Sequence, residues 1–111
     1  MRMVIESVGI VAPKNQLEEL RRALSALVGP TQVEPGCIFC QLLQEAGNPS
    51  SFRFESHWKT PEDLMRRMRS ESYRSLLSLV ELSVEPPEIE FHTVTETKGL
   101  ELVRAVREKL A

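Results

Sequence analysis

Between Pro35 and Tyr73 the chain sets apolar runs and turn-formers in an order that few folds accommodate. Pro35-Gly36-Cys37 opens an apolar run, and Gly47-Asn48-Pro49 supplies a turn. A second run then places Phe52, Phe54, Ser56 and Trp58 on alternate positions. Side chains two apart on a strand share a face, so this run reads as a strand with one aromatic side. Thr60-Pro61-Glu62-Asp63 starts a helix. Thr60 suits the N-cap, Pro61 the first helical position, and the two acids the positive end of the helix dipole. A hairpin feeding a capped helix makes two strands antiparallel neighbours and lays a helix against one of their faces.

The flanking segments extend this unit. Residues Met3 to Val11, rich in Val and Ile, predict a first strand that Pro13 ends. Asn15 with Glu18 predicts an N-cap and its capping-box acid. Leu17, Leu20, Leu24, Leu27 and Val28 then recur at helical spacing, and Gly29-Pro30 predicts the stop. The second strand is expected from about Cys37 to Leu43 and the third from about Ser51 to Trp58, with Glu45 to Ser50 as the hairpin loop. The helix after Thr60 is expected to bury Leu64, Met65 and Met68, loosen around Ser70-Glu71-Ser72, and resume with Tyr73, Leu76, Leu77 and Val80. Pro86-Pro87 leads into a fourth strand, Glu88 to Glu96. On it Ile89, Phe91, Thr93 and Thr95 share one face and Glu90, His92 and Val94 the other. Gly99 precedes a last helix, about 99–110, striped by Val103, Val106 and Leu110. The order β-α-β-β-α-β plus a terminal helix is that of an α+β, ferredoxin-like fold with a four-stranded antiparallel sheet. Helices cover one face only, so the other is expected to be hidden by a second copy, with His92 at that interface. A histidine there would weaken the dimer as pH falls through roughly 6 to 7.

At 111 residues and 12.6 kDa the chain is expected to form one domain, 1–111. The net charge of -2 leaves no basic footprint for nucleic acid. No apolar stretch approaches the roughly 18 residues of a membrane span, and the start lacks a signal-peptide core, so a cytoplasmic protein is expected. Cys37 and Cys40 form a C-x-x-C inside a strand-like run, where side chains three apart point to opposite faces. They are read as buried structural thiols. Neither a zinc set, a G-x-S-x-G elbow nor a Gly-rich phosphate loop is present in the sequence, so no motif calls for a metal or other cofactor.

Assembled in order, these pieces resemble the antibiotic biosynthesis monooxygenase superfamily of dimeric α+β barrels over roughly Val4 to Gly99. The residues that carry the resemblance are Glu34-Pro35-Gly36-Cys37, Asn48-Pro49, Phe52 through Trp58, Ser70-x-x-Tyr73-Arg74, Glu81-Leu82-Ser83 and Pro86-Pro87-Glu88-Ile89. The resemblance implies a homodimer whose sheets pack face to face and a small-molecule pocket between sheet and helices. Some members oxygenate quinols or polyketide aromatics with molecular oxygen and no metal or flavin; others degrade haem or isomerise small sugars. This chain departs from the common patterns. It reads Ser56-His57-Trp58 where many relatives have Glu-x-Trp, Arg67 and Ser72 where many have helix histidines, and Glu6-Ser7 where haem degraders have an asparagine. Haem degradation is therefore not expected.

Two functions remain open at this point. One is a cofactor-independent monooxygenase acting on a small aromatic quinol or phenol; the other is a non-catalytic dimeric binding protein of the same fold. For either, Trp58 is a core aromatic or the wall for a flat ligand, and Tyr73 packs over the helix break or hydrogen-bonds the ligand. Phe54, Leu64 and Met68 would complete an apolar pocket. His57, on the opposite strand face from Trp58, is a solvent or interface residue or a base. Arg66, Arg67 and Arg69 make a solvated basic run, from which Arg69 or Arg67 could meet an anionic group. The catalytic candidates are accordingly Trp58, Tyr73, His57 and Arg69.

Overall fold

The computed structural model describes residues 2–109. Strand β1 spans Met3–Val11, β2 Cys37–Glu45, β3 Asn48–Trp58 and β4 Glu88–Val94. Helix α1 covers Leu17–Gln32, α2 Pro61–Met68, α3 Glu71–Val80 and α4 Leu100–Lys109. The strands form one antiparallel sheet in the order β2-β3-β1-β4, which is the α+β ferredoxin-like arrangement.

Register decides which residues meet. Directly opposed residues share a sheet face, so Val4 with Trp58, Glu6 with Ser56, Val8 with Phe54 and Ile10 with Phe52 form the helix-side face. These eight are all buried. Val8, Ile10, Phe52 and Phe54 pack with Leu20 and Leu24 of α1 and Tyr73, Leu76 and Val80 of α3. Val4, Trp58 and Leu64 of α2 form a smaller cluster beside them. The opposite face carries Ile5, Arg53, Glu55, His57, Phe39, Leu43, Glu90 and His92, and among the described residues no helix lies over it.

Several expectations change. Asn15 does not cap α1: Lys14–Gln16 form a single 3-10 turn, and the cap position falls to Gln16 without a side-chain bond. Pro30 does not stop α1, which runs on to Gln32. A proline in the last turn removes one N–H near the end, and the buried Thr31 hydroxyl donates to the Leu27 carbonyl at 2.7 Å to hold that turn. The strands β2 and β3 reach further into the hairpin than expected, leaving Ala46 and Gly47 as its turn. Strand β4 ends at Val94, short of Thr95 and Glu96. A bulge between Cys37 and Phe39 shifts the register, so that Cys37 opposes Trp58 and Cys40 opposes Ser56. Both thiols therefore belong to the helix-side face rather than to opposite faces. They remain unbridged, and burial pushes both above the ordinary thiol range, Cys40 to about 12.

The break expected near Ser70 is complete, dividing the second helical region into α2 and α3. Met65 and Met68, expected inside, are 51% and 38% exposed, and Leu77 is also exposed. The inward position on α2 between them goes to Arg67, three residues after the buried Leu64. The stripe on α4 exists, but Val103 and Val106 lie in solvent; Leu110 lies outside the described residues.

Candidate functional site

Where β1, β3 and α2 converge, the interior is polar. Arg67 is 2% exposed, and Glu6 and Ser56 are fully buried. Arg67 Nε donates to Glu6 Oε1 at 3.1 Å, and a terminal guanidinium nitrogen donates to Glu34 Oε2 at 3.0 Å. Ser56 Oγ donates to the same Glu6 Oε1 at 3.0 Å while accepting from Trp58 Nε1 at 2.8 Å. A hydroxyl and a guanidinium thus converge on one carboxylate oxygen, and the indole reaches it through the hydroxyl. The other, Glu6 Oε2, is buried with no hydrogen-bond partner. An unmatched buried carboxylate oxygen is expensive, about 1–3 kcal/mol or more, and each such group in a native structure calls for an explanation.

The walls of this site are aromatic. The guanidinium carbon lies 5.0 Å from the Tyr73 ring centroid, 5.4 Å from that of Trp58 and 5.9 Å from that of Phe54. Flat, weakly hydrated and permanently charged, a guanidinium is the cation best suited to stacking on rings. Burial raises the Tyr73 phenol above its ordinary range, and the charge and hydrogen-bonding demand of Glu6 raise it further, against a smaller opposing pull from Arg67. The phenol nevertheless falls short of hydrogen-bond geometry to Glu6, whose Oε2 stays unmatched.

Local structure places these groups. Thr60 Oγ1 accepts from the Asp63 N–H at 3.1 Å, which starts α2 in the phase that turns Leu64 and Arg67 inward. Ser70 Oγ accepts from the Tyr73 N–H at 3.2 Å, starting α3 with Tyr73 on its buried face. Alternation along β1 and β3 does the same for Glu6 and Ser56.

Of the residues expected from sequence, Phe54, Trp58 and Tyr73 meet around Arg67. Leu64 packs against Trp58 from α2. Met68 and Arg69 are exposed and stand outside the cluster. His57 lies on the opposite sheet face, 2.8 Å from Glu55 Oε2 and edge-on to Phe39. The expected open pocket is filled by Arg67 itself. Four surface depressions of about 60 to 420 Å³ are lined by none of Glu6, Trp58, Arg67 and Tyr73. Sequence reasoning passed over Glu6, Glu34 and Ser56 as site residues. Their signal was a polar residue in an apolar period: Glu6 between Val4 and Val8, and Ser56 between Phe54 and Trp58. Among the described residues no group of three or more His, Cys, Asp or Glu could hold a metal ion, and no helix is long and apolar enough to cross a membrane.

A four-stranded antiparallel sheet backed by helices, with a closed polar centre between the layers, defines an α+β protein of the ferredoxin-like class. The chain belongs to the antibiotic biosynthesis monooxygenase family, whose profile matches residues 3–77. Solved structures share the fold at low identity. Proteins from Nitrosomonas europaea and Deinococcus radiodurans, each named a "putative antibiotic biosynthesis monooxygenase", are both 20% identical to it. Their TM-scores are 0.76 and 0.78, over 87% and 86% of this chain and 94% and 96% of theirs. Rv0793 from Mycobacterium tuberculosis is 18% identical, with a TM-score of 0.77 over 87% of this chain and 99% of its own. No curated protein matches the chain.

Proposed function

We propose that this protein is a cofactor-independent oxygenase that adds one oxygen atom to a small aromatic quinol or phenol. The observation that carries the reading is Glu6 Oε2, a buried carboxylate oxygen with no partner, set beside a cation and three aromatic faces. Family membership supports it, as does the stacking itself, because a planar ring fits the same faces that now hold a planar guanidinium. On this reading Arg67 gives way toward Glu34 and the substrate ring lies against Trp58, Phe54 and Tyr73. Glu6 takes the phenolic proton, and the guanidinium holds the resulting oxyanion, favouring its charged form. The electron-rich ring then supplies all the electrons: quinol and O2 give hydroxyquinone and water. Leu64 closes the site from α2, and the break between α2 and α3, next to the exposed Met68 and Arg69, is the way in. His57 has no part in this chemistry. A second copy covers the open sheet face.

Purified protein without added metal or flavin should consume oxygen in step with quinol loss. Glu6→Gln, which keeps the shape and removes the base, should slow turnover by roughly a hundredfold or more. Oxygen uptake no faster than the spontaneous rate across a broad quinol panel would sink the reaction. Full activity in E6Q would remove Glu6 from it.

The closed state of the cluster favours a second reading, a binding protein that has kept the site without turnover. An aromatic ligand would then stabilise the fold by about 2.7 kcal/mol at a hundredfold excess over its dissociation constant. Mass analysis of the recovered ligand separates the two, since turnover of any ligand rules this one out.

A further inference from the structure

We infer that Glu34 sets the charge of what this site accepts: aromatic ligands that arrive neutral are taken, and those carrying a carboxylate or other permanent anion are refused. The inference rests on the aromatic site proposed above and adds which rings can enter it. Arg67 is shared between two acids, its Nε lying 3.1 Å from Glu6 Oε1 and a terminal nitrogen 3.0 Å from Glu34 Oε2. One positive charge thus stands against two carboxylates, and the enclosure is left with one net negative charge. Among the described residues no other cation comes within ion-pair distance of either acid. Arg66, on the same helix, is paired with Asp63 at 2.8 Å instead.

The rest of the lining does not offset that charge. Tyr73, Trp58 and Phe54 turn ring faces toward the guanidinium, and a ring face is the negative side of its quadrupole. Such a wall attracts a cation and resists an anion. Cys37, packed against the cluster of Val4, Trp58 and Leu64, stays a neutral thiol because burial raises it. Proton transfer from a phenol to Glu6 leaves the total unchanged, since a phenolate appears as a carboxylate is neutralised. A ring that brings its own carboxylate instead puts two net negative charges around one cation, out of reach of bulk water's screening. Glu34 is the acid that decides this. Glu6 loses its charge to the proton it accepts, whereas Glu34, its side chain 19% exposed at the edge of the cluster, takes no proton in that step and remains the standing negative charge.

A dihydroxybenzamide and the corresponding dihydroxybenzoate differ by one charge and hardly in shape. Titrated into the full chain by calorimetry, without oxygen and at neutral pH, the amide should bind roughly a hundredfold more tightly than the acid, the size of one like-charge contact in a partly buried site. Glu34→Gln, whose amide oxygen can still accept from Arg67, should cut that ratio by about tenfold or more. Glu34→Asp, which keeps the charge, should preserve it. A Glu34 that only braces Arg67 would shift both affinities and leave their ratio alone. Wild-type protein that binds the acid as tightly as the amide overturns the inference, as does an undiminished ratio in folded E34Q, and either result leaves the oxygenase reading standing. An amide that does not bind at all removes the aromatic site on which both readings rest. Preference for the amide with no oxygen uptake upholds the charge selection and defeats the oxygenase alone.

Discussion

The junction of β1, β3 and α2 and the C-terminal pair β4–α4 invert the usual distribution of side chains in opposite ways. The first takes charge inside: Arg67, Glu6 and Ser56 lie out of water, and nearly every polar atom finds a partner. The second leaves hydrocarbon outside, from Ile89 and Phe91 to Val103 and Val106. A buried charge must find its complement within the chain, and this one does, short of one carboxylate oxygen. Exposed hydrocarbon can wait for a complement from elsewhere. The junction should therefore be sensitive to every substitution, and the C-terminal pair tolerant of them.

The largest effect expected is at Arg67. Arg67→Met fills similar space but leaves Glu6 buried with no cation, so unfolding in urea should show a loss of about 3–5 kcal/mol. Replacing both partners, as in E6L with R67M, should recover much of that loss. If R67M costs less than about 1 kcal/mol, the junction is not an electrostatic unit.

Trp58→Phe comes next. Most of the apolar area survives, but Ser56 Oγ loses the indole donor, which should cost about 1–3 kcal/mol while the fold persists. On the oxygenase reading turnover falls as well. An unchanged rate in a folded W58F variant would show that the indole is only a core group.

Alkaline pH acts on the same region. The folded pKa values of Tyr73 and of both cysteines are raised, so the unfolded chain releases these protons first. Stability should be flat on their account below about pH 9. Above it stability should fall by about 1.4 kcal/mol per pH unit for each group while only the unfolded form is ionised, the Cys40 contribution ending near pH 12. Urea midpoints at pH 8, 9.5 and 10.5 measure the slope. Tyr73→Phe should reduce it, and an unaltered slope would mean that the phenol is not held protonated by the fold.

The smallest effect is expected at the other end. In dilute protein, where no second copy is bound, Val106→Asp should change unfolding free energy by no more than about 0.5 kcal/mol, as for other exposed positions. A larger loss under those conditions would show that α4 packs on its own chain, and the contrast between the two regions would fail.

Much of the scaffold was legible because local signals agreed. The alternation in β3 and the Thr60-Pro61-Glu62-Asp63 start of α2 each have one structural solution, and the strand and helix they predict are present. What escaped were places where one local rule yields to another. Gly29-Pro30 reads as a stop, yet a proline in a final turn removes only one donor, and the Thr31 hydroxyl ties that turn back to Leu27. Three-residue spacing in Cys37 and Cys40 implies opposite faces only without the bulge that lies between them. The polar centre was hidden for a similar reason. Arg67 sits in a basic run whose ordinary fate is solvent, and its true neighbour Glu6 lies 61 residues away. Propensity describes single residues, but the burial of a guanidinium depends on a pairing that only the folded register supplies.

Gly36 ties these elements together mechanically. Its φ of +85° is one that side chains resist, and a β-carbon there would run into the Asp63 side chain. Its carbonyl accepts from the Lys59 N–H at 2.9 Å, and Glu34, two residues earlier, holds Arg67. The approach to β2 and the first turn of α2 are thus seated against each other with no room for a methyl group. A lever with so little play transmits displacement: whatever shifts the loop before β2 shifts the cap of α2, and with it the guanidinium one turn further on.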